Sequence, residues 1–142
     1  MALSYHLMDI LKDTRTNENL DMYLDDIEKY SEMNYHDYFD KIRLEHGIPK
    51  KEIAHSSGIS RTYCYQILSG TRKPGRDNAI ALCLAAHFSL PETIRFLEIL
   101  QLGILYPKDI RDSIIIYSIN RGMSVQETNE LLYSKKEATL GE

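Results

Sequence analysis

The sequence predicts an all-α protein, because three kinds of local signal recur along its 142 residues. Apolar side chains return every three or four residues, which is the period of an amphipathic helix. Ser89 with Glu92, and Ser124 with Glu127, match the S-x-x-E pattern of a helix capping box. Glycine or proline stands at several points where an apolar pattern stops or restarts. A hydrophobic content of 43% is sufficient for a buried core.

The N-terminal segment predicts two short helices. Apolar residues share one face of the first helix up to Leu11, and the polar residues 13–19 predict a loop. Apolar positions recur at helical spacing from Leu20 to Ile27, with acidic residues on the outer face. A second amphipathic helix is therefore expected, and residues 21–32 form an acidic arm.

The middle of the chain predicts three further helices. Asn34 can cap the first, and Gly47 can end it in the left-handed backbone region. Pro49 suits the start of the second helix. Ser60 can cap the third, which ends at Gly70. We therefore expect three short helices in close succession.

The rest of the chain also predicts helices. Residues 76–88 are almost all apolar or alanine, which is typical of a helix buried on most of its circumference. Residues 114–116 have strand propensity, but their segment is about a dozen residues long and ends at Arg121-Gly122, which favours a helix. The expected order beyond residue 88 is a helix from Ser89 to about Leu102, a turn at 103–107, helices at 109–120 and 125–133, and a polar, frayed tail at 134–142.

Charge is distributed unevenly along the sequence. The net charge is −4, yet residues 41–76 hold eight basic and two acidic side chains, a balance of +6. Residues 1–40 have a balance of −7 and residues 77–142 of −3. Local potential decides where a polyanion binds, so the basic block favours a nucleic-acid partner despite the negative total.

Residues 52–68 have the side chains that two short helices joined by a tight turn require. Ala54 suits the point where two helices cross steeply, and Gly58 supplies a positive φ at a tight turn. Ile59 can close this turn from inside, and Ser60 can accept hydrogen bonds from the free amides of the next helix. The expected inward residues are Ile53, Cys64 and Ile67, and the outward residues are Arg61, Thr62, Tyr63, Tyr65 and Gln66.

These residues resemble the helix-turn-helix of the Cro/lambda-repressor (XRE) family, and the resemblance runs from about Phe39 to Phe88. The family's motifs occur in order: F-x-x-I-R and G-I, then K-K-E-I-A, the turn G-I-S and the exit loop S-G-T-R-K-P. Lys50 departs from the Gln that is usual at its position. The resemblance implies a five-helix domain at 35–102, with an acidic helical extension at 1–34 and a helical extension at 103–142.

The family places the second helix of the motif in the major groove of DNA. The resemblance implies that the base-contacting residues are Arg61, Thr62, Tyr65 and Gln66. It implies that the phosphate-contacting residues are Lys50, Lys51, Ser60, Tyr63, Arg72 and Lys73. Two alternatives stay open: these side chains are an ordinary solvated surface, or Tyr63 and Tyr65 form a protein-interaction surface.

The function implied by the resemblance is a transcriptional regulator, a repressor that binds duplex DNA as a homodimer. The helices after Ser89 are expected to carry the dimer contact. Its expected members, unless they belong to the core, are Leu97, Leu100, Ile104 and Leu105. Two other functions remain: a protein-interaction module whose acidic arm docks a basic partner or masks the basic face, and an antitoxin-like protein that does both.

Catalysis, a metal site and a cofactor are not expected. The sequence contains no Gly-rich phosphate loop, no H-E-x-x-H and no C-x-x-C motif. Cys64 and Cys83 lie in apolar helical segments, which predicts reduced, buried thiols. No apolar stretch is long enough to cross a membrane, and the N-terminus does not resemble a signal peptide, so the expected location is the cytoplasm.

Overall fold

A computed structural model describes residues 2–27 and 33–141 of the protein. Its regular structure over these residues is entirely helical, which confirms the all-α prediction. The helices are α1 (Ala2–Asp13), α2 (Asn17–Ile27), α3 (Tyr35–Glu45), α4 (Lys50–Ser56), α5 (Arg61–Leu68), α6 (Arg76–Ala85), α7 (Leu90–Ile99), α8 (Ile110–Asn120) and α9 (Val125–Ser134). The chain forms two compact units, residues 1–33 and residues 34–142.

The first unit contains α1 and α2, which contact each other, and Tyr23 of α2 is buried. The loop between them is shorter than predicted, because α2 begins at Asn17 instead of after residue 19. Thr16 explains the early start: its Oγ1 atom accepts a hydrogen bond from the amide of Asn19 at 3.1 Å. Of the acidic arm expected at 21–32, residues 28–32 lie outside the described residues.

The second unit is built around α6. Every residue from Ala79 to Ala86 is buried, which confirms the prediction of a helix enclosed on most of its circumference. The helix ends at Ala85, earlier than predicted, because His87 adopts a left-handed φ of 58°. The turn directs Phe88 into an aromatic cluster, with its ring 4.7 Å from that of Phe39 and 6.3 Å from that of Phe96. This cluster joins α3 and α7 to the end of α6.

Side-chain caps set the starts of five helices in this unit, including α5 with its cap at Ser60. Asn34 caps α3, and Ser89 and Ser124 form the complete capping boxes predicted for α7 and α9. Asp109 caps α8, where its carboxylate accepts a hydrogen bond from the amide of Asp112 at 2.9 Å. Each cap satisfies amide groups that a helix leaves free in its first turn.

The end of α7 and the loop after it differ from the prediction. The helix ends at Ile99, because Gln101 adopts a left-handed φ of 58°. Leu97 and Leu105 are fully packed in the core, and Leu100 is half-buried against it. Leu97 and Leu105 therefore belong to the core, which was the alternative for them, whereas a dimer role of the half-buried Leu100 and the exposed Ile104 stays a prediction.

Two reciprocal ion pairs tie α8 to the start of α6. Arg76 binds both carboxylate oxygens of Asp112, at 3.0 and 2.8 Å, and Arg111 binds both of Asp77, at 3.0 Å each. Arg76 also donates to the carbonyl oxygens of Gly103 and of the following residue, at 2.7 and 3.1 Å. The loop before α8 is thereby joined to the same cluster.

The tail after α9 packs against the rest of the unit over its described residues, 135–141, so the prediction of a frayed tail is wrong there. Arg111 donates to the carbonyl oxygens of Ala138 and Thr139, at 2.9 and 3.2 Å. The amide of Leu140 donates to the side chain of Asn129 at 2.7 Å, and the Leu140 side chain is only 5% exposed. The buried Leu140 helps to anchor the tail. The polar composition of the residues before it did not indicate this contact.

The Glu92 carboxylate connects α3 and α7. One of its oxygens lies 2.8 Å from both His46 Nε2 and the Ser89 amide. Burial raises the pKa of Glu92, but the hydrogen bonds from the Ser89 backbone and from His46 outweigh burial and lower it below the ordinary value. The neighbouring Tyr38 has its pKa raised to about 12 by burial and by Glu92, and its hydroxyl donates to the Glu92 carbonyl oxygen at 3.5 Å.

We predict that Asp112→Ala destabilises the protein by about 3 kcal/mol, because it leaves the guanidinium of Arg76 without its partner in a mostly buried site. Urea unfolding monitored by circular dichroism measures the change. Glu130→Ala is the matched control on an exposed helix face, with an expected change within about 0.5 kcal/mol. Equal stability of the two variants would contradict the structural role of the pair.

We also predict a pH-dependent effect of Glu92→Gln. A carboxylate whose pKa is lowered on folding stabilises the fold above its unfolded pKa, and that stabilisation is lost as the pH falls through the folded pKa. The variant should be less stable than the parent by about 1 kcal/mol at pH 7, and the gap should close below about pH 4. Urea unfolding across this range tests it, with Glu130→Gln as the control. A gap that widens on acidification would show the wrong sign.

Candidate nucleic-acid interface

Helices α4 and α5 pack together across a tight turn. Gly58 lies in the turn with φ +76°, as predicted, and Ile59 packs against the core. Ser57 is buried, and its Oγ atom accepts a hydrogen bond from the Ile59 amide at 3.3 Å. The sequence analysis did not predict that Ser57 is buried and binds the backbone of the turn. Nothing in the local pattern distinguishes Ser57 from its exposed neighbour Ser56.

The start of α5 has the predicted cap. Ser60 Oγ accepts a hydrogen bond from the Tyr63 amide at 3.3 Å. Cys64, Ile67 and Leu68 then turn inward and are buried. Because these three residues hold the helix on one side, its opposite side faces solvent within the second unit.

The four expected base-contacting residues lie on the outer side of α5. Arg61 and Thr62 are exposed, and Tyr65 and Gln66 are half-buried. The guanidinium of Arg61 lies over the ring of Tyr65, 5.7 Å from its centre. The aromatic ring thus supports a cation at the N-terminal end of the helix and leaves its hydrogen-bond donors available.

The six expected phosphate-contacting residues surround this helix. Lys51, Ser60, Arg72 and Lys73 are exposed, and Lys50 and Tyr63 are half-buried. Arg72 lies over the Tyr63 ring at 4.7 Å, so the exit loop and α5 form a second cation–π pair. Lys51 and Arg61 thus lie beside Tyr65, and Arg72 lies over Tyr63, so basic residues flank α5 on more than one side.

Three hydrogen bonds hold the exit loop at residues 71–73. The amides of Thr71 and Arg72 both donate to the carbonyl oxygen of Gln66, at 2.9 and 3.2 Å. The hydroxyl of the buried Tyr35 in α3 donates to the Arg72 carbonyl oxygen at 2.7 Å. The backbone that carries Arg72 and Lys73 is thus held in place before any ligand arrives.

The basic side chains of this surface have no acidic partners among the described residues. None of Lys50, Lys51, Arg61, Arg72 and Lys73 has a carboxylate oxygen within 4.0 Å in residues 2–27 and 33–141. By contrast, Arg76 and Arg111 are each held by an aspartate. The first set can therefore neutralise an external anion without breaking an internal ion pair.

A cleft of about 270 Å³ separates α4 and α5 on this surface. Its lining includes Lys51, Arg61 and Tyr65, together with Ala54 and His55. His55 is an exposed residue that the sequence analysis did not assign to this site. Its spacing of four residues from Lys51 on a predicted helix was the signal that could have placed it on this face.

Neither cysteine offers a reactive or ligating thiol. Cys64 and Cys83 are both buried, and burial raises the pKa of each thiol, most strongly at Cys83. Over the part of the chain that the structure describes, no group of three or more His, Cys, Asp or Glu side chains is placed to hold a metal ion. The candidate site therefore consists of amides, hydroxyls, aromatic rings and cations.

Two short helices joined by a tight turn form a helix-turn-helix, and the cations beside its second helix have no acidic partner among the described residues. A family model described as Helix-turn-helix matches residues 40–92. This segment belongs to the Cro/lambda-repressor (XRE) type, which confirms the resemblance and indicates a DNA-binding regulator. Comparison with curated proteins and with solved structures produced no match. Among the described helices, none has the length and apolar character needed to traverse a membrane.

Gly70 sets the geometry at the junction of α5 and the exit loop. Its φ is +86°, and a Cβ atom added there would lie 2.5 Å from Nδ1 of His36 and 2.9 Å from Cγ of the same ring. Both the backbone conformation and the close approach of α3 therefore require glycine. Gly47 offers a comparison, because it has a similar φ of +71° with open space around it.

We predict that Gly70→Ala destabilises the protein more than Gly47→Ala. Both substitutions place a side chain in the left-handed region at a cost of about 1–2 kcal/mol, but only Gly70→Ala meets the His36 ring. Urea unfolding of the two variants measures the difference. His36→Ala combined with Gly70→Ala should bring the cost back toward that of Gly47→Ala. Equal costs of the two single variants would contradict the close contact.

Proposed function

We propose that this protein is a sequence-specific transcriptional regulator, a repressor that binds duplex DNA as a homodimer with α5 in the major groove. The observation that carries the proposal is the set of cations around α5 that have no acidic partner among the described residues. Phosphate contacts provide affinity and register, whereas side chains that reach base edges provide specificity. The surface has both kinds of side chain on adjoining elements.

In this proposal Arg61 and Gln66 are the main base-contacting residues. Arg61 stands in the first turn of α5, where helices of this motif meet base edges, and its guanidinium can bind O6 and N7 of a guanine. Gln66 can bind N6 and N7 of an adenine. Thr62 and Tyr65 lie on the same outer side and suit contacts with a thymine methyl group.

The proposed phosphate-contacting residues lie mainly at the ends of the short helices. Lys50 and Lys51 open α4, and Ser60 stands at the N-terminus of α5, where free amides favour an anion. Lys50 replaces the usual Gln and acts as a point charge. Arg72 and Lys73 extend the contact from the fixed exit loop. The pairing of Arg72 with Tyr63 favours a joint contact with one phosphate group.

A protein-interaction module, with or without an antitoxin-like double role, is the alternative. It would use the acidic arm at 21–32, of which the described side chains Asp21 and Asp25 are exposed, to bind a basic partner. It would also use the tyrosines of α5 as a protein contact. The stacking of Arg61 and Arg72 on those rings favours an anionic ligand over an apolar one. The expected cytoplasmic location stays a prediction.

We predict that one binding experiment distinguishes base-contacting from phosphate-contacting residues by the effects of their substitution. The full chain is first used to select duplexes from a random-sequence pool. Arg61→Ala and Gln66→Ala should each reduce the preference for the selected duplex over a scrambled one by about 5- to 100-fold. Arg72→Gln and Lys73→Gln should weaken binding to both duplexes alike and lower the salt slope by about one per substitution.

Lys136→Gln is the matched control, because Lys136 is an exposed lysine beyond α9 and outside the basic block. It should change neither the preference nor the salt slope. Fluorescence anisotropy at several salt concentrations gives all of these quantities. Failure to select any duplex, or binding that does not weaken with salt, would contradict DNA recognition and favour the interaction module.

A further inference from the structure

Three basic side chains converge on the cleft between α4 and α5. Lys51 and His55 are four residues apart on α4, so they share one face of that helix. Arg61 reaches the same cleft from the first turn of α5. The small side chain of Ala54 and the ring of Tyr65, over which Arg61 lies, complete the lining. The lining thus contains three groups that can carry a positive charge and no carboxylate.

His55 has no partner among the described residues. Its ring has neither a hydrogen bond nor a carboxylate oxygen within 4.0 Å in residues 2–27 and 33–141. Glu52 stands three residues earlier on the same helix, and Glu130 and Tyr133 of α9 line a second cleft that His55 also borders. Helix α6 also contacts α4, and its buried residues 79–86 carry no charged side chain. The imidazole can therefore meet an external anion on the side of the α4–α5 cleft.

The α4–α5 cleft suits one phosphate group of a duplex backbone. Its volume of about 270 Å³ is several times the roughly 30 Å³ of one water molecule, so a phosphate group fits with part of its hydration. Lys51 offers an ammonium group and His55 offers ring N–H groups, and both are donors to phosphate oxygens. Arg61 on the opposite wall adds positive potential and can still reach a base edge.

We propose that His55 is a further phosphate-contacting residue, and that protonated His55 and Lys51 together bind one backbone phosphate of the duplex. The proposal rests on the proposed function and adds to its site a residue that the family resemblance did not assign. It also makes DNA binding depend on pH, because histidine changes its charge near neutral pH whereas lysine and arginine stay protonated. A phosphate group in the cleft favours the charged imidazole, so duplex binding is coupled to proton uptake by His55.

Fluorescence anisotropy with the full chain and its selected duplex tests this coupling. At constant salt, the dissociation constant should fall by about 3- to 10-fold from about pH 8 to pH 6, because a neutral hydrogen bond to the phosphate becomes a charge-assisted one. The salt slope should be steeper at the lower pH by about one for each bound copy, since one more cation replaces a counterion. An affinity that does not change across this range would overturn the proposal.

Substitutions of two exposed histidines show which ring is responsible. His55→Gln should remove the pH response, because glutamine keeps a donor but cannot gain a charge. His55→Lys should bind tightly throughout the range, since lysine stays charged. His87→Asn is the matched control: His87 does not line the cleft, and asparagine tolerates its left-handed φ of 58°. A pH response that persists in His55→Gln, or that is lost in His87→Asn, would overturn the role of His55.

Nuclear magnetic resonance of the histidine rings gives a second measurement, which a purely structural role of His55 would not change. The His55 signal is identified by its loss in His55→Gln, and its positions at low and high pH are recorded for the free chain. Addition of the selected duplex at about pH 7 should move the signal toward its low-pH position. A signal that the duplex leaves unchanged would overturn the contact.

These outcomes are distinguishable from a failure of the proposed function. If His55→Gln and the parent have the same pH response and both still prefer the selected duplex, the phosphate contact of His55 is excluded and DNA recognition stands. If the parent selects no duplex at any pH, the proposed function and this inference fail together.

Discussion

The enclosure of α6 is the constraint on which the second unit depends. Every residue from Ala79 to Ala86 is buried, so helices must cover this segment on all sides. Helices α4, α7 and α9 each contact it, and the aromatic cluster at Phe88 brings in α3. Burying an all-apolar helix removes a large area from water, which is the main favourable contribution to the fold. Helix α5 packs on α3 and α4, so this arrangement, and not its own short sequence, holds it in place.

The candidate DNA surface uses that rigid support. Helix α5 has only eight residues, which is too short for a stable isolated helix, so its buried side must hold it. The exit loop is fixed twice: Tyr35 binds its backbone, and Gly70 lets the ring of His36 approach. The basic side chains can then meet a ligand from a preorganised backbone, which reduces the entropy lost on binding. The pairing of two arginines with tyrosines restricts those side chains in the same way.

The C-terminal helices are integrated with the helix-turn-helix, not attached to it by a flexible linker. The ion pairs of Arg76 and Arg111 join the start of α6 to α8, and Arg111 also holds the tail. Arg76 and Asp77 immediately follow the exit loop along the chain, so the same two residues of α6 join the helix-turn-helix to α8.

The sequence by itself determined the helical class, the caps at Asn34, Ser60, Ser89 and Ser124, the left-handed glycines and the inward face of α5, because these depend on contacts within a few residues. It also indicated the family, since several motifs occur in order at fixed spacing.

Tertiary structure decided which apolar residues become core: Leu97 and Leu105 are buried while Ile110 and Tyr117 are exposed, although all four are equally suited to either place. It also decided the order of the tail, the early ends of α6 and α7, and the pairing of Arg76 and Arg111 with aspartates more than thirty residues away. Such contacts join segments distant in sequence, and no local pattern specifies which segments meet.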